Sequence, residues 1–216
     1  MSGGSSRAFA LVVFLFASSA AADDAGAPAR EPLDGAKLDA ALSDIAKARS
    51  AVTTMRASFT QTRKITLLAT TVSSTGEMIY GAPDRLRWDL AAPDDIVYFI
   101  GPEGLSYKTK SSSATVPAQG ASVAKALGDV RALLGGDLSS LKERYTLSGS
   151  RSASDVEIDG TAKDPKASVR SFVLVVDKGL VHPVRAELLE GKSDRIDLRF
   201  NNVVINEKID PAKLRP

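Results

Sequence analysis

From Met55 onward, apolar residues recur at every second position in short runs, each run broken by turn-forming residues. A period of two can put its apolar members on one side only if the chain is extended. Ala57, Phe59 and Gln61 share a side, and Gly76, Met78 and Tyr80 alternate with Glu77 and Ile79. The cleanest run sets Leu86, Trp88 and Leu90 against Arg85, Arg87 and Asp89. Ile96 to Ile100 is continuously apolar, and Leu105 and Tyr107 alternate with Ser106 and Lys108. Between these runs lie Gly81-Ala82-Pro83-Asp84, Pro93-Asp94-Asp95 and Gly101-Pro102-Glu103-Gly104, all rich in turn residues. Connections this short join antiparallel strands, whereas parallel strands need a long crossover. The front half is therefore expected to be a meander, with the Thr-rich stretch from Thr66 to Thr75 also extended.

Two segments carry a helical period instead. Leu38, Ala41, Leu42, Ile45, Ala48 and Val52 fall at steps of three and four. Asp34 or a neighbour is expected to cap that helix, and Lys47 and Arg49 suit its negative C-terminal end. Val123, Leu127, Val130, Leu133 and Leu134 form a second helical series that Gly135-Gly136 ends. Asp137 is placed to cap a short helix through Leu141 and Arg144, and the Ser/Ala-rich residues 110–120 read as a loop. Strand alternation resumes at Tyr145-Thr146-Leu147 and continues through Val156 and Ile158, Val169 to Val176, Val184 to Leu188 and Ile196 to Phe200. Val203 and Ile205 are expected to close the sheet.

These elements define a mainly β (α+β) chain. The expected architecture is a single twisted antiparallel sheet curled into an unclosed half-barrel, with helices as its lid. A twisted sheet of many strands tends to curl, and its apolar face would then line a hollow. The N-terminus reads differently. Arg7 followed by the apolar residues 8–17 and Ala20-Ala21-Ala22 has the three parts of a cleavable signal peptide. The apolar run is far shorter than the about 20 residues of a membrane span. The expected organisation is a signal peptide over 1–22, a flexible leader over 23–35 and one domain over 36–216, exported to the periplasm as a soluble monomer.

Composition removes several kinds of chemistry. The chain has 28 basic and 26 acidic residues, one histidine and no cysteine. A balanced charge does not supply the basic stripe that nucleic acid requires. Without cysteine, no thiol nucleophile, disulfide or lipid-modified cysteine exists, and a zinc site of the Cys/His type cannot be assembled. His182 is read as a surface or strand-end histidine, the alternative being a general base. Gly191-Lys192-Ser193 resembles the tail of a phosphate loop, but Ala186 stands where its first glycine is needed, so it is read as a hairpin turn. Asp155, Glu157 and Asp159 alternate on one strand face, which is read as solvated, with a calcium site as the alternative. No catalytic residue, metal or cofactor is assigned, and no enzyme activity is expected.

What remains is a strand-by-strand series of apolar side chains: Phe59, Met78, Tyr80, Leu86, Trp88, Leu90, Ile96, Tyr98, Leu105 and Tyr107. Periodicity alone reads these equally well as an ordinary core or as the lining of a lipid-binding cavity. Leu127, Val130 and Leu134 on the central helix are the candidate lid.

The order of several short motifs resembles the periplasmic outer-membrane lipoprotein carrier (LolA-type) family. Phe59-Thr60-Gln61 follows an N-terminal helix, then come Ser74-Thr75-Gly76-Glu77-Met78, Pro83-Asp84-Arg85-Leu86-Arg87-Trp88 and Pro93-Asp94. The run from Asp194 to Asn202, with Asn206 and Ile209-Asp210, resembles that family's last strands. The resemblance implies a helix-lidded open barrel that moves acylated lipoproteins from an inner-membrane lipoprotein-releasing transporter to an outer-membrane receptor. It equally allows another lipid or amphiphile as ligand, or a non-transporting envelope sensor or scaffold. Two features depart from the family pattern. Ala82 stands where founding carriers have an arginine that contacts the lid, and the chain stops at Pro216 where they continue. A divergent member is implied.

Overall fold

The computed structural model describes residues 29–117, 129 and 131–216. The expected signal peptide, the leader up to residue 28, and Leu127 and Val130 lie outside these residues. In chain order the elements are β1 (Glu31–Leu33), α1 (Ala36–Arg49), β2 (Thr54–Ile65), β3 (Thr70–Gly81), β4 (Arg85–Leu90), β5 (Ile96–Gly101), β6 (Gly104–Lys108) and β7 (Ser113–Pro117). There follow a helical segment at residues 129 and 131–134, designated α2, and a 3-10 turn at Leu138–Glu143. The chain then forms β8 (Tyr145–Arg151), β9 (Asp155–Ala162), β10 (Val169–Asp177), β11 (Pro183–Glu190) and β12 (Asp194–Ile205), and ends in a second 3-10 turn at Pro211–Leu214.

All twelve strands belong to one sheet, in the order β1-β8-β9-β10-β11-β12-β2-β3-β4-β5-β6-β7. Every pairing is antiparallel, and the sheet is not closed into a barrel. This is the mainly β, open half-barrel that the alternating pattern predicts. Val203 and Ile205 do not close it. They continue β12, which lies in the middle of the sheet against β2, while β1 and β7 form the edges. Side chains directly opposite each other in a ladder share a face, and successive residues change face. One side of the sheet is consequently mostly apolar from Gly149, Ile158, Leu174, Ala186 and Leu198 across to Met78, Trp88 and Tyr98, with Gln61 and Ser74 between. This inner side forms the core together with Leu38, Ala41, Leu42 and Ile45 of α1.

Four local expectations change. The leader expected over 23–35 includes β1, which pairs with β8 through Glu31 to Leu33. Arg30 also reaches Asp155 at 2.8 Å, which binds this end of the chain to the sheet. Asp34 does not cap α1 with its side chain. Gly35 holds the cap position, and the Asp34 and Gly35 carbonyls accept from the Lys37 and Asp39 amides, both at 3.0 Å. Thr66–Leu68 is the tight tip of a hairpin rather than extended chain, because the two twelve-residue strands β2 and β3 fold back on each other there. Residues 113–117, read as loop for their serine and alanine content, pair with β6 as an exposed edge strand. Backbone pairing supplies the order that these small side chains do not.

Candidate functional site

The ten apolar residues picked out by alternation all lie on the inner side of β2–β6. The register places Phe59, Gly76, Leu90 and Ile96 in one row and Ala57, Met78, Trp88, Tyr98 and Tyr107 in the next. Met55, Tyr80, Leu86, Ile100 and Leu105 form a third row. The ten divide by burial. Phe59, Met78, Tyr80 and Leu86 are core residues, none more than 4% exposed. Trp88, Leu90, Ile96, Tyr98, Leu105 and Tyr107 are only half-buried.

Trp88 is held in place from the core side. Its ring stacks on Phe59 with centroids 4.0 Å apart and meets Phe200 edge-on at 6.2 Å. Phe59 can lie so flat because its cross-strand partner is Gly76. A Cβ on Gly76 would stand 2.5 Å from the Phe59 ring and 1.9 Å from the Asp89 carbonyl oxygen. The same arrangement recurs in the other half, where Gly160 lies under Phe172 and a Cβ would come within 2.2 Å of that ring.

The outer side of the same strands is mixed, with Arg87, Asp89 and Glu77 beside the buried Ile79 and Phe99. Arg87 pairs with Asp89 at 2.8 Å and lies over the Phe99 ring, 5.5 Å from its centroid. The C-terminal turn covers this side, with the Lys213 carbonyl accepting from Arg87 and Leu214 packed on Gly81. A wide groove of about 780 Å³ also crosses the outer side of β2–β6. Its lining includes Glu77, Asp89, Asp95 and Lys110, which are engaged in ion pairs. Phe59, Leu90, Ala91 and Val97 make much of the remaining lining apolar.

The described part of α2 and the glycines after it touch β8 through Asp129 and β3 through Gly135. The buried Asp129 accepts from the Tyr145 hydroxyl at 3.1 Å and pairs with Arg144. At its end, Gly135 abuts the Tyr80 ring. Leu134 of the candidate lid is buried there with Ala132 and Leu133.

One arginine from α1 secures that end of α2. Arg49 is buried and donates to the carbonyls of Ala132 and Gly136 at 3.1 Å, Leu133 at 3.4 Å and Val181 at 3.1 Å. Those of Ala132, Leu133 and Gly136 lie at the C-terminal end of α2, where a cation complements the helix dipole. Burial pushes the Arg49 pKa down to about 10, opposed by nearby Tyr80, Asp177 and Asp137, so the guanidinium remains charged at neutral pH. Ala82 leaves no arginine at the turn before β4; the carbonyls at the end of α2 meet an arginine from the opposite arm.

Sequence reasoning missed the inner-side residues nearest the β2–β3 tip. Leu188, Ile196 and Val72 continue the apolar surface in the row of Arg63, with Leu188 and Ile196 half-buried and Val72 more exposed. Their alternation was visible, but their proximity to β2 depends on the β12–β2 pairing. The remaining candidates have structural surroundings. His182 lies in the β10–β11 turn, which Asp177 organises by accepting from the amides of Gly179, Val181 and His182. Gly191-Lys192-Ser193 is the turn between β11 and β12. Among the described residues, no cluster of three or more His, Cys, Asp or Glu side chains is arranged to hold a metal ion.

An open sheet with a largely apolar inner side is the fold of a class of proteins with lipid-binding or carrier roles. The chain belongs to the outer membrane lipoprotein carrier protein LolA family, whose model matches residues 50–215. No curated protein matches it. Similar solved structures include a DUF1329 family protein from Desulfovibrio piger, 12% identical with a TM-score of 0.47, covering 82% of this chain and 96% of that one. A LolA superfamily protein from Nitrosomonas europaea is 9% identical with a TM-score of 0.45, covering 82% and 97%. The MucA/MucB complex structure from Pseudomonas aeruginosa is 17% identical with a TM-score of 0.49, covering 84% of this chain and 61% of that one. Among the described residues no helix is long and apolar enough to cross a membrane.

Proposed function

We propose that the protein binds acyl chains of lipoproteins or other lipids against the inner side of β4–β6, beneath α2, and carries them through the periplasm. In this reading residues 1–22 direct export and are removed. An inner-membrane lipoprotein-releasing transporter loads the carrier, and an outer-membrane receptor unloads it. The observation that supports the reading best is the set of Trp88, Leu90, Ile96, Tyr98, Leu105 and Tyr107, apolar or aromatic, facing one side and only half-covered. Moving hydrocarbon into water costs about 0.8 kcal/mol per methylene, on the order of 13 kcal/mol for a sixteen-carbon chain. An acyl chain crossing an aqueous space therefore needs such a surface. A half-covered surface also permits release, which a sealed core would prevent. The carrier needs no cofactor and performs no chemistry.

Trp88 is the only tryptophan, so its fluorescence reports on this face alone. Titration with a sixteen-carbon fatty acid or a diacylated peptide is expected to shift its emission to the blue and to saturate. Leu90→Glu should abolish the shift while leaving circular dichroism unchanged. An unshifted wild-type spectrum would count against the binding site. Release of lipoprotein from spheroplasts then separates a carrier from a sensor or scaffold that binds lipid without moving it.

A further inference from the structure

The two most exposed large apolar side chains of the described fold, Leu67 and Leu68, stand side by side at the tip of the β2–β3 hairpin. Leu67 is 92% exposed and Leu68 67%, and Val72 on the same hairpin is 38% exposed. The tip is an ordered feature of the sheet. The Thr66 amide donates to the Asp194 carboxylate at 3.0 Å, and its hydroxyl donates to the Ser193 carbonyl at 2.9 Å, so the tip is joined to the β11–β12 turn. Around the leucines stand Arg63, Lys64, Lys192 and Arg195, all exposed. The acids within this group are Glu190, which pairs with Arg63 at 3.2 Å, and Asp194, which accepts from Thr66.

Two adjacent leucines held out in water inside a positively charged collar match one kind of surface. Leucines enter the apolar boundary of a bilayer, while lysines and arginines remain among anionic headgroups. We propose that the β2–β3 tip is a membrane-docking element that inserts Leu67 and Leu68 into an anionic phospholipid surface. The docking itself needs no cargo and stands apart from the acyl-binding reading. Its consequence does rest on that reading. Val72, Ile196 and Leu188 extend the apolar inner side toward this rim, so docking would bring the open end of the hollow to the bilayer.

Flotation of the mature chain with vesicles tests this. Vesicles of phosphatidylethanolamine and phosphatidylglycerol should carry the protein upward, and pure phosphatidylcholine vesicles should carry much less. Leu67→Glu with Leu68→Glu should reduce binding by roughly tenfold or more, since each exposed leucine contributes burial on insertion. Lys64→Glu and Lys192→Glu should each reduce it by roughly fivefold, a loss that high salt should reproduce in the wild type. The leucine variant should still give the Trp88 shift with fatty acid, which separates failure to dock from failure to bind acyl chains. Wild-type protein that stays at the bottom of the gradient would overturn the proposal. So would a leucine variant that floats like wild type. Sedimentation velocity showing a dimer that the leucine variant loses would assign the tip to a second copy of the chain and overturn it as well.

Discussion

The inner side of β8–β10 and the inner side of β4–β6 have the same origin in alternating apolar residues, yet they end in different states. Val156, Ile158, Leu174 and Val176 are at most 2% exposed, while Trp88, Leu90, Tyr98, Leu105 and Tyr107 are half-buried. The strands do not account for the difference. α1 lies over the first group, with Leu38 against Gly149 at one end and Arg49 at Val181 at the other. Over the second group the described cover is the end of α2 at Tyr80. Among the described residues, the sheet face is core where a helix lies over it and stays half-exposed where none is described.

Placing one charge in each region should break the symmetry most strongly. Ile158→Glu buries an unpaired carboxylate and should cost several kcal/mol, most of the stability of a domain this size. Leu90→Glu can reach water and should cost about 1 kcal/mol or less. Thermal melts followed by circular dichroism compare the two, and equal losses would make β4–β6 core as well.

Arg49→Met removes the donors that hold the end of α2. It leaves several buried carbonyls unpaired and should cost about 2–4 kcal/mol. Hydrogen exchange should accelerate at residues 131–136 before it does in β9 and β10. Uniform acceleration would show that α2 opens only with the whole sheet.

The two glycines under phenylalanine rings sharpen the comparison. Gly160→Ala and Gly76→Ala should each cost about 1–3 kcal/mol, because the added methyl meets a packed ring. Only Gly76→Ala should also change Trp88 emission, since Phe59 is the ring on which Trp88 stacks. A changed spectrum in both variants would mean the two regions communicate. A small effect is also expected at Asp137→Ala. It removes the side-chain cap that accepts from the Ser139 amide at 2.8 Å and should cost about 1 kcal/mol of melting stability without altering lipid binding.

Much of this arrangement was legible before any coordinates. The run from Arg85 to Leu90 assigned its own faces, and Asp137 announced the turn it caps. The ten candidate lining residues shared one side because a period of two leaves an extended chain no other choice. The division of those ten into core and half-open residues was not legible. Met78 and Tyr107 have the same alternation, and only the strands and helices packed around them make one fully buried and the other accessible. The β2–β3 tip was hidden for a related reason, since the threonines around Leu67 and Leu68 favour strand and the reversal follows from pairing.

The sequence by itself determined most of the strands, their antiparallel sense, the helical segments and the apolar side, because these depend on residues a few positions apart; the edge strands β1 and β7 it did not. The tertiary structure alone decided that β12 lies against β2, that an arginine in α1 holds the end of α2, and which part of the apolar side remains open. Those outcomes join residues as much as 155 positions apart, such as Ala51 and Asn206. No local period carries information over that distance, so packing has to supply it.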